Sequence, residues 1–211
     1  MTDFCLTQLG EPYINLCAQI KPGDVLAFAT CDLPANVVKW ATHSPYVHVA
    51  IVLSVTTNNE HPDPVLIVES HINVSIPSEG TGKKQLGVQF QRLSQRIVSC
   101  TGSVWWAALK TPLSENSLDK MRNWLRDIEA RAVPYDFSQA VKAGIEVLDD
   151  VGLGNRPDFN ALFCSELVTR ALQIANCVDA SVNPSEQTPA DVMGFDCLQA
   201  PVLLSSGSKK E

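Results

Sequence analysis

The order of hydrophobic patterns along the chain predicts an α+β domain in which a central antiparallel sheet packs against helices. Three observations carry this. Short β-branched apolar runs crowd the first half, longer amphipathic patterns with helical spacing fill the second, and Pro, Gly and Asn punctuate the boundaries at short intervals. There is no internal repeat and no low-complexity segment, so the 211 residues read as one domain, with its packed core over about 21–204 and a frayed tail over 205–211.

Taken in order, Pro22-Gly23 marks a turn after a short amphipathic lead, and Val25 to Ala29 reads as a buried strand opened by Asp24. Pro34 to Thr42 has a helical pattern with proline at its start. Tyr46 to Val55 is so rich in Val and Ile that it predicts a strand covered on both faces, and Val65 to Glu69 follows as a short strand. Asn58 to Pro64 joins these two, and Ser78 to Lys84 is a glycine-bearing loop. Gly87 to Leu93 and Ser103 to Leu109 add strands, giving a sheet of about five or six. Helices are expected from Ser114 to about Arg131, from Phe137 to Asp150 and from Asn160 to Ala175. A capped turn at Thr188-Pro189-Ala190-Asp191 and a short strand over Leu198 to Leu204 close the domain.

Composition narrows the function classes. Acidic residues outnumber Lys and Arg by 23 to 16 and the basic residues are scattered, which argues against a nucleic-acid partner. The first twenty residues lack a basic segment followed by an uninterrupted apolar one, and no stretch is long enough to span a bilayer, so a cytoplasmic protein without a transmembrane segment is expected. The seven cysteines are odd in number, widely spaced and free of any C-x-x-C pair, which argues against a disulfide framework and a zinc ribbon and makes a reducing compartment the default.

Three residues stand out as carriers of chemistry. With Asn160 as helix cap, Cys164 falls in the first helical turn, where free amides and the macrodipole favour a thiolate; it also shares a face with Val168, Ala171 and Ala175, as a small core residue would. His48 sits within an otherwise apolar strand, where an imidazole must find a partner. Glu69 ends the strand that begins at Val65, on the same face as Val65 and Ile67, and a carboxylate there can receive an imidazole N–H and fix its tautomer. His43, His61 and His71 read as solvated or loop histidines, and without ligand spacing such as H-E-x-x-H neither a metal nor any other cofactor is assigned.

The words around these residues resemble those of NlpC/P60 proteins, in rotated order. Lys21-Pro22-Gly23-Asp24 with the strand after it is similar to the family's Gly-Asp strand, His48-Val49 to its histidine strand, and Val68-Glu69-Ser70 to its third polar position. Pro134-Tyr135 and Phe163-Cys164-Ser165 then supply the nucleophile half. The arrangement looks most like the YiiX/YaeF-type branch, over about Lys21 to Val192. A rotation of this kind is physically permissible because chain ends lie close together at a domain surface.

The resemblance implies a papain-like NlpC/P60 fold, circularly permuted, and a cysteine hydrolase acting on an amide or peptide bond. Cys164 would be nucleophile, His48 base and then acid, and Glu69 the orienter. Tyr135 and Ser165 would stand on the oxyanion and substrate side, with the Cys164 amide as another oxyanion donor. Residues 136–160 form a longer connection than the family's, which would reshape or lid the groove. Val47 and Phe163 depart from the pattern and put a peptidoglycan substrate in doubt more than the mechanism. Cell-wall peptides are one substrate class; the chain would then need a dedicated secretion route, as an antibacterial effector with an inhibitor or immunity protein as partner. A lipid-directed acyltransferase or thioesterase of the lecithin:retinol acyltransferase-like kind, and a binding module without catalysis, are the alternatives.

Overall fold

The computed structural model describes residues 9, 11–29, 44–56, 63–71, 76–85, 87–130 and 159–207. The helices expected over 34–42 and 137–150, with Tyr135, His43, His61 and most of the 136–160 connection, lie outside the described residues.

The elements run α1 (Glu11–Leu16), β1 (Val25–Phe28), β2 (His48–Val55), β3 (Val65–His71), β4 (Gly87–Arg92), α2 (Leu93–Ser99), β5 (Val104–Ala107), α3 (Glu115–Ala130), α4 (Phe159–Ile174), α5 (Pro189–Met193) and β6 (Val202–Ser205). The strands form one six-stranded sheet in the order β4-β3-β2-β1-β5-β6, every neighbouring pair antiparallel. The mixed α+β architecture and the sheet size agree with the sequence pattern. α2 departs from it: the chain turns helical at Leu93 because Leu93, Arg96 and Ile97 bury one face at helical spacing. β3 also runs two residues further than expected, to His71.

Alternation along the central strands divides the interior into two layers. Val25 and Ala27 of β1, with Val49, Ile51 and Leu53 of β2, face Met121 and Leu125 of α3, Leu167, Val168, Ala171 and Leu172 of α4, and Val192 of α5. Leu26 and Phe28, with Ala50, Val52, Val65 and Ile67, face Tyr13 of α1 and Leu93 and Ile97 of α2. Burial on both faces explains why β2 reads as a continuous apolar run rather than an alternating one.

Asp24 locks the start of β1. Its buried carboxylate accepts hydrogen bonds from the Lys21 N–H (2.8 Å), the Trp106 indole N–H (2.8 Å) and the Leu109 N–H (2.9 Å), tying the turn to β5 and the segment after it. Burial raises its pKa, the three donors opposing. Gly23 makes the turn at φ 91°, and a Cβ there would stand 2.7 Å from Leu109 Cδ1 and 2.8 Å from Leu113 Cδ1, so both conformation and space require glycine. The capped turn at α5 is a capping box: Thr188 Oγ1 accepts from the Asp191 N–H, and Asp191 accepts from the Thr188 N–H.

Asp24→Ala strands three buried donors at once and is expected to lower unfolding stability by roughly 3 kcal/mol or more, with Asp24→Asn losing less. Urea denaturation followed by tryptophan fluorescence measures both; a D24A midpoint equal to the wild type's would show that the Asp24 bonds do not hold the turn.

Candidate active site

The first residue of β2 and the first polar residue of β3 meet across the sheet. His48 Nε2 lies 2.7 Å from Glu69 Oε2, with His48 6% and Glu69 1% exposed. The register explains the contact. Ile51 pairs with Val68 and Val52 with Ile67, which sets Glu69 and His48 diagonally on the face that also carries Phe28. The Phe28 ring pairs with the imidazole at 5.5 Å between centroids, as their direct opposition on β1 and β2 requires.

A residue that the sequence pattern did not single out completes this layer. Arg96 of α2 places Nε 2.5 Å from Glu69 Oε1, so each carboxylate oxygen meets a different cation. Burial raises the Glu69 pKa, but the Arg96 charge first and then the His48 hydrogen bond and charge hold the carboxyl well below the usual range. The one sequence signal for Arg96 was its place at helical spacing between Leu93 and Cys100, a guanidinium within an apolar stripe.

Cys164 comes from α4 and belongs to the opposite layer, fully buried with Leu167 and Val168. His48 opens β2, and the two side chains meet at that end of the sheet. Burial pushes the imidazole pKa down, yet the charge and hydrogen bond of Cys164, followed by those of Glu69, outweigh it and push His48 up to about 9. With Nε2 given to Glu69, Nδ1 is the nitrogen left for the sulfur; it completes no hydrogen bond of full geometry. The thiol and ring are therefore close enough to interact but not drawn into line.

α4 begins at Phe159, five residues before Cys164. The cysteine thus lies in the second turn, Asn160 is inside the helix rather than its cap, and the Cys164 amide falls within the helical ladder instead of standing free as an oxyanion donor. Ser165 is fully buried.

His71 corrects a second expectation. It is neither solvated nor in a loop: it is the last residue of β3, 8% exposed, with its ring edge-on to His48 at 5.0 Å. Burial first, and then the His48 charge with a contribution from Arg96, push its pKa down to about 3 against the attraction of Glu69. The site therefore holds one charged and one neutral imidazole at neutral pH. Cys100 of the described residues is disulfide-bonded, whereas Cys17, Cys164, Cys177 and Cys197 are free. One bridge of this kind is compatible with the absence of a disulfide framework but not with all cysteines being unpaired.

No group of three or more His, Cys, Asp and Glu side chains among the described residues is arranged to hold a metal ion. None of the described helices is long and apolar enough to cross a membrane. No family model and no curated protein matches the sequence. Among solved structures the chain is similar to yiiX. That structure is the crystal structure of metalloprotein yiiX from Escherichia coli O157:H7, DUF1105, 17% identical over 90% of this chain and 99% of yiiX, with a TM-score of 0.48.

The two imidazoles give stability opposite pH slopes. His48, raised to about 9 from 6.5, contributes stability that is complete below pH 6.5 and disappears as pH rises through 9. His71, lowered to about 3, costs stability as pH falls below 6.5, because the unfolded chain takes up a proton that the folded one refuses. His71→Phe is therefore expected to gain on the wild type progressively as pH falls below about 6.5, with a constant difference above it. Urea midpoints across that range test this, and a difference independent of pH would contradict a buried neutral His71.

Proposed function

We propose that this chain is a cysteine hydrolase of the circularly permuted, papain-like NlpC/P60 kind, which cleaves an amide or peptide bond through an acyl-enzyme. One observation carries the reading: the His48 imidazole is shared between the Glu69 carboxylate and the Cys164 sulfur in a buried site. Nucleophile, base and orienter are the three roles that acyl transfer through a thiol requires.

In this reading the proton of the Cys164–His48 pair already rests on the imidazole, and the sulfur attacks the carbonyl carbon of the substrate as a thiolate. The tetrahedral intermediate collapses as the imidazolium returns the proton to the leaving amine. Water, deprotonated by the now neutral His48, then attacks the thioester, and the acid leaves with Sγ restored as the leaving group. Glu69 keeps Nε2 protonated and the ring oriented throughout. Tyr135, outside the described residues, remains the proposed phenolic donor to the oxyanion, and Ser165 a proposed contributor on the same side. The sulfur is covered in the described structure, so substrate entry needs the covering groups to part.

Iodoacetamide labelling with peptide mapping tests the pair directly. Burial raises the Cys177 pKa and pushes Cys197 up to about 11, so both alkylate slowly near neutrality. Cys164 is expected to outpace them about tenfold or more near pH 7, and His48→Ala to remove that lead. Labelling of Cys164 at the rate of the other buried thiols, with no response to H48A, would overturn the reading. Incubation with muropeptides or with phospholipids, followed by mass spectrometry for an acyl adduct that Cys164→Ala abolishes, separates amide hydrolysis from lipid-directed acyl transfer. His48→Ala is expected to lower kcat/KM on the substrate so identified by roughly a thousandfold or more.

A further inference from the structure

A carboxylate that orients a histidine needs one oxygen for the task. Glu69 has both engaged, Oε2 by His48 and Oε1 by Arg96, and the second engagement is built with more structure than a filler requires. Arg96 is 5% exposed. Its Nη1 donates to Ser99 Oγ at 3.0 Å, and its guanidinium carbon lies 5.3 Å from the centroid of the Phe28 ring, the same ring that packs on His48.

The helix that delivers it is anchored in turn. Asp63 Oδ2 accepts the Ser94 N–H at 2.8 Å, while Oδ1 accepts from the Val65 N–H and the Tyr13 hydroxyl, each at 3.1 Å, so α2, β3 and α1 are joined at one carboxylate. Arg96 Nη2, buried, has no hydrogen-bond partner, and Nε meets Glu69 closely but out of line. A buried guanidinium with donors unsatisfied is costly, and its retention is explained by the charge it sets against Glu69.

We propose that Arg96 is a positioning residue for the reaction, acting through Glu69 by keeping the carboxylate ionised and fixing its plane so that Oε2 faces His48. This rests on the cysteine-hydrolase reading. The charged and titratable groups facing this carboxylate are His48 from β2, His71 from β3 and Arg96 from α2, and Cys164 from α4 acts on it through His48. Arg96 meets Glu69 directly, and the groups that chiefly set the charge of His48 are Cys164 and Glu69, so the main route from the guanidinium to the ring runs through the carboxylate. Without the guanidinium, a buried Glu69 takes up a proton at higher pH. Once protonated, it ceases to support an imidazolium, and the sulfur keeps its proton.

The full chain and four variants, R96M, R96K, E69Q and the double variant E69Q/R96M, test this through the pH profile of Cys164 alkylation by iodoacetamide, with near-UV circular dichroism to verify folding. R96M is expected to move the acid limb of the profile up by about one pH unit, a tenfold loss of rate at a fixed pH on that limb. R96K should move it less, because a point charge replaces the planar fork. In the E69Q background the same R96M change should move the limb hardly at all. An unchanged limb in R96M, or an equal shift with and without Glu69, overturns the proposal, and where R96M does not fold, an unchanged limb in R96K does so. These outcomes are distinct from failure of the hydrolase reading, which shows in the unmodified protein as the absence of preferential Cys164 labelling. In that case the imidazole 15N titration of His48 still reads the coupling: R96M moves its midpoint in the presence of Glu69 and leaves it in place with E69Q, and any other pattern sinks the assignment.

Discussion

A single carboxylate held between two cations, inside a layer closed to water, is the interaction on which the rest of the site depends. Glu69 sits between His48 and Arg96, and none of the three is tolerable there alone. The strand register brings the histidine and the glutamate together. α2 brings the arginine, and Asp63 holds α2 to β3 and to α1. A further proton is then excluded: His71, pressed edge-on against His48, stays neutral first because it is buried and then because His48 and Arg96 beside it are already positive.

The two-layer construction explains how a thiol from the far side joins this cluster. β1 and β2 bury both faces, and the α4 layer and the α2 layer are separated by the sheet along most of its length. Phe28 ends β1 and His48 begins β2, so at this end the sheet stops dividing them. The apolar face of α4, through Leu167, Val168 and Ala171, fixes where the helix lies against the strands and therefore where its sulfur arrives.

Much of the sheet was legible in the sequence because strands buried on both faces have no polar positions to blur the pattern, as over Val49 to Leu53. The helices over 115–130 and 159–174 were legible from their spacing. α2 was hidden because it follows β4 without an intervening turn residue, and Ile97 and Val98 favour either conformation. His48 and Glu69 could be paired in advance because each was an isolated polar group on an apolar strand. His71 could not, since nothing local shows that β3 continues past Glu69 until Ser70 pairs with Val88 and His71 with Gly87. Arg96 needed tertiary structure, because a lone arginine in a short apolar stripe reads equally as a surface residue.

The order in which the chain supplies these parts has a consequence for its synthesis. The imidazole, carboxylate and guanidinium all lie before position 100, whereas the sulfur follows at position 164. A chain growing from its amino end can assemble the charged half of the site while it still lacks the Cys164 sulfur. The sulfur joins the cluster only when α4 has emerged and docked, so, on the cysteine-hydrolase reading proposed above, a partly made copy is chemically silent toward the peptides around it.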